Sequence, residues 1–202
     1  MAKADETRAK IIRQAADLFN QQGFAGVSMS DIMQATGLKK GGIYNHFSSK
    51  DELALAAFDY AASQVGQRYL QALKTERTAV DRLKAMITTF STAPDKLALQ
   101  GGCPLMNTAI DSDDAHPVLR EKARQAMERW RSLLHRTVRQ GIQRGELPPQ
   151  VDADEVSTII IATLEGALML MRLYDEPTHL QRAKHHLDHY VESLQINPAQ
   201  PE

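Results

Sequence analysis

The chain has one cysteine, Cys103, in 202 residues, which excludes an internal disulfide and suits a reducing compartment. It lacks a long hydrophobic run. The longest apolar stretch, around Ile159 to Leu164, contains threonine and ends at Glu165, well short of a membrane span. No opening segment reads as a signal peptide, so a cytoplasmic chain with no membrane partner is expected. Alternating strand patterns, internal repeats and low-complexity tracts are all missing. There is no nucleophile elbow, no phosphate-cradling glycine loop and no catalytic triad, which argues against an enzyme. Net charge is also nearly absent, at -1. It is unevenly spread, however: residues 1–50 carry seven Lys or Arg against four Asp or Glu, a balance of +3, leaving -4 for the rest. Positive charge sits where a polyanion would bind, and the remainder has no electrostatic reason to touch one.

What the chain does have is concentrated in residues 28–53, SMSDIMQATGLKKGGIYNHFSSKDEL. Ser28 with Asp31 three residues on is a capping-box variant that starts a helix near Met29. Ile32 and Ala35 give that helix an apolar face, Gly37 suits the positive φ of a tight turn, and Leu38 plugs the corner. Ile43 and Phe47 give a second helix its buried edge, which leaves Lys39, Lys40, Tyr44, Asn45 and His46 largely on the other side. Gly41 and Gly42 each lower helix propensity by roughly 1 kcal/mol relative to Ala, which makes sense where backbone must approach a surface closely. Ser49 and Glu52 form a second capping box, and Lys50 lies in the first turn it opens. Two short helices about a glycine turn, with a basic glycine step opening the second, predict a helix-turn-helix and a sequence-specific double-stranded DNA partner.

The segment resembles the DNA-binding domain of the TetR/AcrR family of bacterial repressors. The resemblance rests on Ser28, Asp31, Ile32, Gly37, Lys40, Gly41, Tyr44, Phe47, Lys50, Glu52 and Leu53, and covers about the first quarter of the chain. It departs at Gly42, where the family usually has a small hydroxyl residue or Ala, and at Asn45, where His is common. The operator therefore cannot be borrowed from a relative. Nine residues are candidates for the DNA face: Ser28, Lys39, Lys40, Gly41, Gly42, Tyr44, Asn45, His46 and Lys50. Tyr44, Lys50 and Ser28 are assigned to phosphates, while Lys39, Lys40, Gly41 and Asn45 are the candidates for base edges. Ser28 would serve equally as a pure helix cap, and His46 as a packing residue.

Helical patterns run from about Thr7 to Gln22 with Gly23 closing, Lys50 to Leu73, Ala79 to Thr92 before Pro94, Leu105 to Ile110, Val118 to Arg144, Ala153 to Tyr174 and Thr178 to Leu194. Ile12, Ala15, Ala16 and Phe19 are expected to face inward from the first of these. The predicted fold is all-α with about nine helices. It divides into a three-helix helix-turn-helix head over 1–49, a larger helical ligand-binding and dimerisation domain over 50–197, and a flexible tail over 198–202. The last two helices carry an apolar stripe from Val156, Ile160, Thr163, Leu164, Ala167 and Met171, joined by Leu180, Leu187 and Val191. These residues would serve either as monomer core or, as the resemblance implies, as a four-helix homodimer interface.

An effector pocket in the body is expected from Met86, Phe90, Cys103, Met106 and Asn107 together with Met127, Trp130, Leu134, Met169 and Tyr174. Apolar linings with a few polar handles suit small molecules, although methionines at helical spacing equally serve as core. Cys103 could be an electrophile or redox sensor, or a small buried hydrophobe. His185 and His189, four apart, could share a metal, but such pairs on an exposed face are usually only solvated, so no metal or cofactor is expected. The resemblance implies a homodimeric repressor released from a palindromic operator by a small-molecule effector. An activating or architectural DNA-binding role is the alternative.

Overall fold

The computed structural model describes residues 2–92, 100–112 and 116–195. Among these it contains nine helices and no strand: α1 (Ala2–Gly26), α2 (Met29–Thr36), α3 (Lys40–Tyr44), α4 (Lys50–Ala72), α5 (Ala79–Ser91), α6 (Pro104–Asp111), α7 (Pro117–Gln143), α8 (Ala153–Tyr174) and α9 (Thr178–Ser193). The all-α architecture expected from the sequence is the architecture observed. Pro94, read as the stop after α5, and the tail at 198–202 lie outside the described residues.

Two compact units share the chain. The first comprises Met1–Val65 and Asp95–Met127, the second Gly66–Pro94 and Glu128–Glu202. Each of α4 and α7 therefore gives its first part to one unit and its remainder to the other. The first unit is built round Ile11, Ala15, Val27, Ile32, Ile43, Phe47 and Leu53, all at most 1% exposed. The inward face of α1 is thus set by Ile11, Ala15 and Ala16, while Ile12 and Phe19 are only half-buried. On α2 the buried partner of Ile32 is Thr36 and not Ala35, which is exposed. Thr36 can go inside because its hydroxyl donates to the Ile32 carbonyl at 2.7 Å, which satisfies the polar atom within its own helix.

In the second unit α8 packs on α9 and α5, and α5 on α9. Trp130 of α7 lies at its centre, stacked with Phe90 at 5.5 Å and with Tyr69 at 5.7 Å between ring centroids. By length and composition alone α8 could cross a membrane, with 22 residues and a mean hydropathy of 1.6. Yet it buries Ser157 and Glu165 and spends Val156, Ile160, Leu164 and Leu168 on the bundle, as a core helix of a helical domain does.

Candidate nucleic-acid interface

The recognition segment is assembled from local capping. Ser28 Oγ accepts from the Asp31 amide at 3.2 Å, and Asp31 Oδ2 accepts from the Ser28 amide and hydroxyl, each at 2.7 Å. These bonds hold the Asp31 carboxyl below its ordinary range, the Ser28 hydroxyl contributing most. Gly37 closes α2 at φ 68, left-handed backbone that glycine enters without a steric penalty. Lys39 then caps α3 in extended geometry, and Ile43 and Phe47 anchor the far side of the segment in the core at 0% and 1% exposure.

That anchoring leaves Lys39, Lys40, Gly41, Tyr44 and Asn45 exposed, with Gly42, His46 and Lys50 half-buried. Lys39, Lys40, Gly41, Gly42, Tyr44 and Asn45 lie on α3 or at its ends, whereas Ser28 caps α2 and Lys50 opens α4. Lys40 Nζ lies 5.5 Å from the Tyr44 ring centroid and Lys50 Nζ 4.2 Å from that of Phe24, geometries that orient long cationic stems. Arg8 lies 4.8 Å over the Phe47 ring, a cation that sequence reasoning did not place here. The Ser28 hydroxyl donates to Asp31 and accepts from its amide, so it is engaged as a helix cap. The second box differs slightly from expectation. Glu52 accepts from the amide and hydroxyl of Ser48, each at 2.7 Å, while Ser49 Oγ accepts from the Glu52 amide at 3.0 Å.

The comparisons with known proteins point the same way. The family model described as bacterial regulatory proteins, tetR family, matches residues 11–57. The tetracyclin repressor-like C-terminal domain matches residues 79–187. A TetR transcriptional regulator from Chloroflexus aurantiacus is 48% identical with a TM-score of 0.93, over 96% of this chain and 98% of that one. The chain belongs to the TetR family. A TetR-family regulator from Cytophaga hutchinsonii follows at 32% identity and a TM-score of 0.87, over 98% of both chains. The HTH-type transcriptional regulator TtgR of Pseudomonas putida is 25% identical over 202 residues, 98% of this chain and 95% of its own. The chain is accordingly a helix-turn-helix, DNA-binding transcriptional regulator, not an enzyme.

In this TetR-family regulator the body residues named from the sequence are divided between buried core and exposed positions. Of the nine named for the dimer interface, Val156, Ile160, Leu164, Ala167, Leu180, Leu187 and Val191 are buried inside the single chain, none more than 7% exposed. They form monomer core, because α8 turns this face onto α5 and α9; Thr163 and Met171 are half-buried at its edge. The outward face of α8 instead presents Ala162, Gly166, Met169 and Leu173, the last two 51% and 69% exposed. Gly166 has open space where a Cβ would stand.

The ten residues named for the effector pocket divide between the two units, six in the second and four in the first. Met86, Trp130 and Leu134 are core of the second unit, with Phe90 stacked on Trp130, whereas Met169 and Tyr174 are exposed. The Trp130 indole N–H is buried without an acceptor. In the first unit Cys103 is buried and Met106 half-buried, as is Met127. The Asn107 amide is occupied, donating to Asn20 O at 3.0 Å, Asn20 Oδ1 at 3.1 Å and Gly101 O at 2.8 Å. It is a clasp and not a free handle. Asn20 completes the clasp by donating to the carbonyls of Gln100 at 2.8 Å and Gly102 at 3.1 Å. Nearby, Asp111 Oδ2 accepts from the Phe24 amide at 2.7 Å. A surface depression of about 410 Å³ does open in the second unit, between Ala72, Glu76, Asp81, Lys84, Ala85, Thr88 and Thr89. It includes none of the residues named for the pocket.

Proposed function

We propose that the protein is a homodimeric repressor that reads a palindromic operator with two α3 helices and releases it when a small molecule binds the body. Gly41 carries the reading. A Cβ there would meet nothing in the chain within 4 Å, so folding places no demand for glycine at this exposed position beside Lys40. Close approach of the α3 backbone to a surface outside the chain supplies that demand. One five-residue helix reads few bases, and a two-fold pair doubles the site across half-sites about 34–36 Å apart. The outward α8 stripe of exposed Ala162, Met169 and Leu173 with half-buried Gly166 is the apolar surface we assign to that pairing.

Release follows from covalent continuity: α4 and α7 each run from the first unit into the second, so a body state that re-aims them re-aims the head. An effector preferring the non-docking state 100-fold supplies about 2.7 kcal/mol of coupling. The experiment is selection of bound duplexes from a random pool by the full-length chain, with sedimentation of free and bound protein. A dyad-symmetric motif bound by a dimer supports the proposal. Enrichment of no sequence, or a monomer on a single half-site, overturns it. Derepression of a reporter on deleting the gene separates repressor from activator.

A further inference from the structure

We propose that His185 and His189 on α9 form a chelating pair for one divalent transition-metal cation of the imidazole-preferring class: Cu²⁺, Ni²⁺ or Zn²⁺. Both side chains are exposed on one face of α9, one turn apart. Their Nε2 atoms face each other at 3.2 Å, with ring centroids 4.4 Å apart and planes at 86°. Two imidazole nitrogens bound about 2.0–2.1 Å from one ion lie about 3.3 Å apart at a tetrahedral centre and about 2.9 Å apart at a right angle. The observed separation falls within that bracket, so little side-chain movement separates the empty pair from a loaded one.

The far nitrogen of His189 adds an independent observation. Glu192 Oε2 stands 3.5 Å from His189 Nδ1, and the other oxygen of that carboxylate is held by Lys84 of α5 at 2.5 Å. A carboxylate on Nδ1 keeps the proton there and turns the Nε2 lone pair towards the ion, the outer-sphere arrangement that orients metal-binding histidines. Among the described residues no group of three or more His, Cys, Asp or Glu side chains converges. The chain therefore supplies two ligands and water the others, which makes the site open and exchangeable, unlike a closed structural centre. Because α9 packs on α5 and α8, an ion spanning one turn of it stabilises the second unit in proportion to its occupancy.

The test uses the full-length protein, freed of any affinity tag and stripped with chelator, titrated with Cu²⁺ by calorimetry and by electron paramagnetic resonance. One ion per chain with two imidazole nitrogens is expected, with affinity falling from Cu²⁺ to Ni²⁺ and Zn²⁺ and no response to Mg²⁺. His185→Ala and His189→Ala should each weaken binding at least about tenfold, since the second ligand acts at high effective concentration. His186→Ala, the exposed neighbour, should leave it unchanged. Glu192→Gln should weaken it by about tenfold, the usual loss on removing an outer-sphere partner. Alanine is a good helix former, so the variants should fold, and circular dichroism checks this. Affinity undiminished in His189→Ala, or lost equally in His186→Ala, overturns the proposal.

Discussion

Asn20 in the first compact unit and Leu187 in the second are both buried, and different physics holds each in place. Asn20 donates to two carbonyls of the 100–102 loop and receives the amide of Asn107, partners 80 to 87 residues away in sequence. Leu187 is an apolar side chain at 0% exposure on α9, which packs on α5 and α8, and it has no polar group to direct it. Directed bonds lose strength steeply with angle, so the clasp sets the orientation of α1 against α6 as well as their separation. Apolar packing tolerates volume-conserving rearrangement at small cost. Both units have an apolar core, and the first adds this directed clasp to it.

The largest effect should come from the apolar side of this comparison. Trp130→Ala removes the stacking with Phe90 and Tyr69 and should destabilise by about 3–5 kcal/mol in denaturant unfolding. Trp130→Phe should cost much less, because the indole N–H has no acceptor to lose. A loss under about 1 kcal/mol for the alanine variant would mean the stack is not core.

The clasp should come next. Gly101 sits at φ 111, and a Cβ there would approach Asn20 O to 2.5 Å, so Gly101→Ala should cost about 1–3 kcal/mol in backbone strain alone. Asn107→Ala leaves three acceptors short of a donor, at about 1–3 kcal/mol. It should also raise hydrogen exchange in α1 and α6 while the second unit keeps its protection. Equal loosening of both units would erase the distinction drawn above. At the DNA face, Lys40→Ala should leave stability within about 0.5 kcal/mol and make the salt dependence of operator binding shallower by about one unit. An unchanged slope with lost sequence discrimination would move Lys40 from phosphate to base.

The same contrast explains what could be read from the chain. The boundaries of α4 to α9 are legible to within a few residues because caps, glycines and prolines act over one turn, as Ser49 and Glu52 do at the start of α4. The α3 face was legible for the same reason, since Ile43 and Phe47 fix which side is outward. The α8 partner was not legible. That helix is apolar on most of its circumference, and periodicity cannot say which side meets α5 and α9 and which faces outward. The clasp was equally hidden. Asn20 and Asp111 carry no local signature of partners 80 or more residues distant, and nothing local to Asn107 points to its acceptors on Asn20.

The smallest effect concerns charge within the first unit. Asp31 and Glu52 are held below their ordinary values of 3.8 and 4.5, chiefly by the hydroxyls of Ser28 and Ser48 and then by their amides. Asp17 moves the other way: burial raises it above 3.8, and a bond from the Gln100 amide only partly opposes this. The signs then separate. The two caps stabilise fully above 3.8 and 4.5, and that contribution is lost as pH falls through their lower folded values. Charged Asp17 opposes folding at neutral pH, and the opposition is relieved as pH falls through its raised value. On acidification from pH 7 the first unit should therefore gain slightly before it loses. Asp17→Asn should raise the unfolding midpoint at pH 7 by a small margin and flatten that early gain, leaving the steeper loss below pH 4 to Asp31 and Glu52. Thermal melts of both proteins from pH 7 to pH 3 decide the matter. A lowered midpoint at pH 7 would show that the carboxylate's bond to Gln100 outweighs its burial, and that charge stabilises the α1 side of the clasp.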